Sequence, residues 1–273
     1  MYTIVRTEKK AIYSTMKKQI VIAGYGYVGS AVGEALYNHY DVVASDPLLN
    51  ENKVYDYPNA IGIILCLPTP QDTDGSCDVS YLAAVLADCR YDTPILIKST
   101  LSIEGYNYLK SSYPSLRITY SPEFLTAANA KEDFLNQTYY YLAGSDISFW
   151  ASIFKVALPK SLLKPADSIE ELILVKYFRN SFLSVKVAYA NQMYDVCKAL
   201  GISYSNVRSK FIEDTRIGSS HTTVPGPDGS RGFGGACFPK DTAAITYTAN
   251  LYDWDLSVIQ AAVDYNNKIK DNI

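Results

Sequence analysis

One segment constrains the fold more than any other. Gln19-Ile20-Val21-Ile22-Ala23 runs directly into Gly24-Tyr25-Gly26-Tyr27-Val28-Gly29, and Ser30 to Asn38 continues with helical character. A short apolar run of this kind reads as a parallel strand buried on both faces. Between strand and helix the three glycines do different things: Gly24 makes the turn, Gly26 lets the backbone approach a pyrophosphate, and Gly29 allows close helix-to-strand packing. The helix start, with Tyr27 and Val28, then faces the anion. A second strand, Asp41 to Ser45, ends at Asp46. A carboxylate there accepts hydrogen bonds from the adenosine ribose hydroxyls and repels the extra phosphate of NADP. The expected cofactor is NAD.

Further strands follow. Ile61 to Leu67 ends at Pro68-Thr69-Pro70, Pro94 to Lys98 at Ser99-Thr100, and Leu116 to Tyr120 at Ser121-Pro122-Glu123. Helical stretches, Val79 to Cys89 and Ile103 to Ser112, lie between them. The alternation predicts an α/β fold with a doubly wound parallel sheet. Ligands of such sheets sit at the carboxyl ends of the strands, which here carry Asp46, Thr69, Thr100 and Glu123. Each could be an ordinary cap or turn residue; together they outline the floor of one crevice.

The second half reads differently. Lys164-Pro165-Ala166-Asp167 has the composition of a linker. No glycine or proline interrupts Ser168 to Leu200, roughly 50 Å of helix at about 1.5 Å per residue, and Gly201 supplies the stop. Apolar residues occupy more than one face of it, so it must be covered on several sides. The expected role is a spine between two domains, and between two subunits. Lys176 and Asn180, spaced i, i+4, share a face; polar groups amid such surface either snorkel to water or serve a site. Shorter helices are expected over Tyr204 to Glu213, Pro239 to Leu251 and Leu256 to Lys270. The predicted domains are a dinucleotide-binding unit over residues 18–166, after an extension at 1–17, and a helical unit over 167–273.

Between two of those helices runs a long loop, Arg216 to Phe238, ending in Gly232-Phe233-Gly234-Gly235-Ala236-Cys237-Phe238-Pro239-Lys240-Asp241. A loop of this length in a compact domain is usually functional. Pro239 suits a helix start, so Cys237 is placed just ahead of a helix N-terminus and beside Lys240, both of which favour thiolate. Such a sulfur is either a structural cysteine in a glycine-rich turn or a nucleophile.

Composition excludes several classes. The 273 residues carry a net charge of -3 and 48% apolar residues, so neither nucleic acid nor an anionic membrane is an expected partner. No apolar run reaches membrane-span length. Five cysteines without a CxxC pair or a secretion signal predict free thiols in a reducing cytoplasm. With only His39 and His221, no metal site is expected.

The ordered set of motifs resembles the nucleotide-sugar dehydrogenases from about residue 18 to about residue 270. Its carriers are Gly24 to Gly29, Pro68-Thr69-Pro70, Lys98-Ser99-Thr100, Ser121-Pro122-Glu123-Phe124-Leu125, Lys176 with Asn180, Arg216-Ile217-Gly218, and above all Gly232 to Asp241. The resemblance implies a Rossmann domain, a long connecting helix and an all-helical domain. It also implies a four-electron oxidation of a sugar C6 alcohol to the carboxylate with NAD, UDP-glucose being the first candidate substrate. GDP-mannose or a UDP-N-acetylhexosamine is the alternative. By the same resemblance Cys237 attacks the aldehyde, Lys176 and Asn180 stabilise the oxyanion, and Asp241 serves the water with Glu123 and Thr100. Glu123, Phe124, Leu125, Lys176, Asn180, Gly226, Ser230 and Gly234 would hold substrate. Arg216 would do so from a partner subunit, since the family dimerises through the long helix.

Two departures stand out. Where the family has an Arg-Glu pair after Glu-Phe-Leu, this chain has Thr126-Ala127. The family also carries a third, C-terminal domain over the nucleotide base, and a chain ending at Ile273 reads as a short form, with a more open site or one closed by another chain. These departures motivate a further reading, a dinucleotide-binding regulatory protein without turnover.

Overall fold

The computed structural model describes residues 17–270. Five strands pair in parallel: β1 (Gln19–Ala23), β2 (Asp41–Ser45), β3 (Gly62–Leu65), β4 (Ile95–Ile97) and β5 (Ile118–Tyr120). With β6 (Tyr139–Gly144) and β7 (Leu162–Pro165) they form a seven-stranded sheet in the order β2-β1-β3-β4-β5-β6-β7. Strand residues alternate between two cores, which is why these runs are apolar throughout. Val21, Ile63, Leu65, Ile95 and Ile97 enter one core, with α2 (Ser80–Ala87), α3 (Ile103–Ser112) and the start of α6 (Ile169–Ala199). Ile20, Ile22, Ile64 and Leu96 enter the other, with α1 (Tyr27–Leu36), α4 (Ala130–Asn136) and α5 (Ile147–Ala157). Trp150 of α5 is fully buried there. The sheet is doubly wound, as expected.

Two expectations need correction. The sheet is not wholly parallel: β6 pairs antiparallel to β5, and β7 runs parallel to β6. An antiparallel edge on an otherwise parallel sheet is a common arrangement. Lys164 and Pro165 are not linker but the end of β7. This edge strand pairs on one side only, where a proline without an N–H is tolerated. The expected extension at 1–17 lies outside the described residues except for Lys17.

The register delivers the site. Ala23, Leu65, Ile97 and Tyr120 are successive partners across the sheet, and Ala23 also pairs with Ser45. The next residue on each strand, Asp46, Gly24, Cys66, Lys98 and Ser121, therefore falls on one edge.

Helix α6 has 31 residues, about 46 Å at 1.5 Å per residue. Ser168 caps it, its Oγ accepting from Glu171 N at 3.0 Å, and Gly201 turns the chain away at φ +69°. Against it pack α8 (Phe238–Asn250) and α9 (Ser257–Lys270), with α7 (Tyr204–Phe211) near its C-terminal end.

Candidate active site

The glycine turn separates three steric situations. Gly24 adopts φ +83°, and a Cβ there would sit 2.6 Å from the Cys66 carbonyl oxygen. A Cβ on Gly29 would lie 2.1 Å from the Gly24 oxygen. A Cβ on Gly26 would meet nothing within 4 Å. The first and third glycines are thus demanded by the fold itself, and the second borders open space. Gly26 is also the N-cap of α1, and no side chain caps that end, leaving its first N–H groups for an anion. Asp46 is held in place by backbone donors. Its Oδ2 accepts from Tyr25 N at 2.6 Å and its Oδ1 from Leu48 N at 2.9 Å. A carboxylate oxygen accepts more than one hydrogen bond, so both retain capacity toward a ribose. The residues present fit NAD.

Gly24, Gly26, Tyr27, Val28, Asp46, Thr69, Thr100, Glu123 and Cys237 border one cleft of about 430 Å³. Cys237 is the N-cap of α8, with Pro239 in its first turn. One turn further on, Asp241 is fully buried. Its Oδ2 accepts from Asn180 Nδ2 at 2.6 Å and its Oδ1 from Lys240 Nζ at 2.7 Å. The Lys240 ammonium therefore serves the carboxylate rather than the sulfur. Lys176 is 2% exposed; its Nζ donates to Glu123 Oε1 at 2.9 Å and to the Glu123 carbonyl at 2.8 Å. Each side chain of the i, i+4 pair on α6 thus holds one buried carboxylate. Glu123 Oε2 also accepts from Leu125 N at 2.7 Å. A buried ion pair with its remaining lone pairs satisfied holds its geometry, because breaking it strands a charge.

Other expected residues fall elsewhere. Leu125 packs on the core around Trp150. The Phe124 ring stacks edge-on against Tyr141 and lies 3.7 Å from the Arg179 guanidinium carbon. Gly226 and Ser230 close a turn on themselves, Gly226 N donating to Ser230 O at 2.7 Å. Gly234 lies against Lys270: a Cβ there would be 2.8 Å from its Nζ. Arg216 is not brought to this cleft. It pairs with Asp214 on the surface and borders a separate apolar groove with Phe182 and Tyr189. Thr126 binds Asp133, its Oγ1 donating to Oδ2 at 2.6 Å; the side chain of Ala127 lies outside the described residues.

Sequence reasoning gave no role to Lys98. It lies buried at the end of β4, donating to Ser121 O and Oγ at 3.1 and 3.2 Å, between the Phe134 and Phe154 rings. Burial pulls its pKa down to about 8, and burial raises neighbouring Cys66 to about 12. Its motif Lys98-Ser99-Thr100 was the available signal. Also missed were the two amides that fix the loop before Cys237. Asn191 Oδ1 accepts from Arg231 Nε and Gly232 N, and Asn266 exchanges two hydrogen bonds with the Phe233 backbone. Among the described residues no group of three or more metal-ligating side chains occurs, and no helix is long and apolar enough to cross a membrane.

Residues 171–268 match the central domain of the UDP-glucose/GDP-mannose dehydrogenase family. The UDP-glucose 6-dehydrogenase AglM of Haloferax volcanii is 31% identical over 225 residues, covering 74% of this chain and 51% of that protein. A Rickettsia bellii UDP-glucose 6-dehydrogenase is 29% identical, covering 77% and 50%. The chain spans about half the length of the curated relatives it matches. In structure, a UDP-glucose dehydrogenase from Pyrobaculum islandicum superposes with a TM-score of 0.78 at 25% identity, over 97% of this chain and 70% of that one. A Mycobacterium tuberculosis 3-hydroxyisobutyrate dehydrogenase shares the fold with a TM-score of 0.73 at 18% identity, over 94% and 95%.

Proposed function

We propose, on the premise that this chain is a relative of the UDP-glucose/GDP-mannose dehydrogenase family, that it oxidises the C6 alcohol of a nucleotide sugar to the carboxylate, UDP-glucose being the first candidate. The observation that carries this reading is convergence. Glu123, Lys176, Asn180, Cys237 and Asp241, drawn from the turn after β5, the first half of α6 and the start of α8, meet beside the glycine turn.

NAD, when bound, supplies the hydride acceptor for each of the two oxidations. The α1 N-terminus and Asp46 would hold it, and the Asp46 charge would disfavour NADP. The chain's own residues do the rest. Cys237 adds to the aldehyde carbon and presents it as a tetrahedral thiohemiacetal. Lys176 and Asn180, already fixed by Glu123 and Asp241, stabilise the oxygen of that adduct. Oxidation of the adduct leaves a thioester, and Asp241 positions or deprotonates the water that hydrolyses it, with Glu123 and Thr100 alongside. The resemblance also gives Phe124, Leu125 and the loop carrying Gly226, Ser230 and Gly234 to the substrate, although in this structure they do not line the cleft that Cys237 borders.

The same reading assigns residues 18–166 to the cofactor and 167–273 to the site loop and a dimer contact. Phe178, Phe182, Tyr189 and Val196 are exposed along α6, an apolar stripe of the kind a second copy covers. Arg216 borders the groove beside it, where it would face a partner's site. All five cysteines are free, which supports a reducing, cytoplasmic setting.

The test is NADH formation by purified protein with NAD and a panel of UDP- and GDP-sugars, with the product identified by mass spectrometry. The expected result is two NADH per sugar consumed and a uronate product from one preferred substrate. NAD binding without NADH from any sugar would favour a binding role.

A further inference from the structure

Tyr27 stands in the glycine turn, where the sequence gives it a place at the cofactor. Its side chain makes a second contact. The Tyr27 hydroxyl oxygen lies 3.8 Å from Cys237 Sγ, across the cleft that both residues border. Among the described residues it is the sole hydrogen-bond partner of that sulfur.

The surrounding charges make this contact matter. Glu123, from the turn after β5, and Asp241, from α8, both act on the Tyr27 hydroxyl. The cations of the neighbourhood are committed to other groups. Lys176 of α6 donates to Glu123, Lys240 of α8 to Asp241, and Lys98 at the end of β4 to Ser121. No ammonium donates to the sulfur. A neutral hydroxyl does so without adding charge. Burial first, then Glu123, Cys237 and Asp241, hold the phenol pKa well above its ordinary value, so the phenol keeps its proton and has one to donate to a thiolate.

We infer that Tyr27 is a positioning residue for the nucleophile: its hydroxyl donates to the Cys237 thiolate, aims the sulfur into the cleft and favours its ionised form. Its purpose rests on the reading of Cys237 as nucleophile; its test does not. The geometry also links two chain segments, since this contact joins the glycine turn to the cap of α8.

Tyr27→Phe removes a single oxygen and leaves the backbone amide at residue 27 in place. The rate of iodoacetamide alkylation is followed against pH without cofactor or sugar, with the Cys237 peptide resolved by mass spectrometry. A charge-assisted hydrogen bond lost from the thiolate moves the alkylation midpoint up by about one pH unit, about tenfold less thiolate at neutral pH. Superimposable profiles for the two proteins overturn the inference. If the variant is less stable, the same titration is read at low temperature from far-ultraviolet thiolate absorbance, as the difference from Cys237→Ser in the same background, with the same two outcomes. Carboxylate production by a protein whose Cys237 profile ignores Tyr27 overturns this inference alone. A Tyr27-dependent thiol in a protein that forms no NADH overturns the proposed reaction and leaves this contact standing.

Discussion

The sheet and the long helix solve the burial problem in opposite ways. Both faces of the sheet are covered by this chain's own helices, so Ile22, Ile64, Leu96 and Trp150 are out of water. Helix α6 packs against α3, β5, α8 and α9, yet Phe178 and Phe182 remain 61% and 66% exposed. The difference teaches that the sheet half is finished by one copy, whereas the helical half leaves apolar surface exposed. The candidate site lies on the seam. It takes Gly24, Asp46 and Thr100 from the self-sufficient half, and Lys176, Asn180, Cys237 and Asp241 from the other.

The sharpest way to break this comparison is at the seam. Cys237→Ser should lower carboxylate formation by about 10³-fold or more while NAD binding by calorimetry stays close to that of the parent. Unchanged product formation would remove the sulfur from the chemistry. Next in size is Lys176→Met, which leaves Glu123 buried without its partner. It should destabilise the fold by about 3–5 kcal/mol in denaturant titration; an unshifted midpoint would mean that the seam is not held by this pair. Phe182→Glu tests the helical half alone. Light scattering should give a dimer for the parent and a monomer for the variant, with little change in the unfolding midpoint of the sheet half, and a monomeric parent would refute the shared spine. The smallest effect belongs to the cofactor half. Asp46→Ala should weaken NAD by about tenfold, in line with hydrogen bonds to one charged group, and should narrow the preference over NADP. An unaltered dissociation constant would take Asp46 off the ribose.

Legibility followed the same division. The first five strands could be read because each is a short apolar run closed by a glycine, proline or hydroxyl residue, and buried parallel strands have that pattern. The jobs of Gly24 and Gly29 were legible too, since the turn chemistry is local. Residues 126–163 were not. Tyr139 to Gly144 has no period-2 contrast, and Ile147 to Ala157 has only Lys155 as a charge, so neither strand nor helix announces itself. Lys98 was missed for another reason. A lysine after a strand reads as solvent-exposed, and only the tertiary placement of Phe134 and Phe154 encloses it. Asn191 and Asn266 likewise look like polar helix residues until the loop at 231–233 is laid between them. Arg216 lies on a separate groove of this chain, and the resemblance assigns it to a partner's site.

The spacing of the site contacts along the chain has a consequence for how the protein comes into being. Lys176 and Glu123 are 53 residues apart, Asn180 and Asp241 are 61 apart, and Tyr27 and Cys237 are 210 apart. Joining such distant points costs loop-closure entropy before any contact repays it. A growing polypeptide can complete the glycine turn and the first strands long before α8 has been made. The environment of Cys237 therefore forms last, and a half-made or locally opened molecule keeps the cysteine but not its setting. In the reaction proposed above, competence at this sulfur is a property of the closed chain, and aldehyde chemistry begins only after assembly is complete.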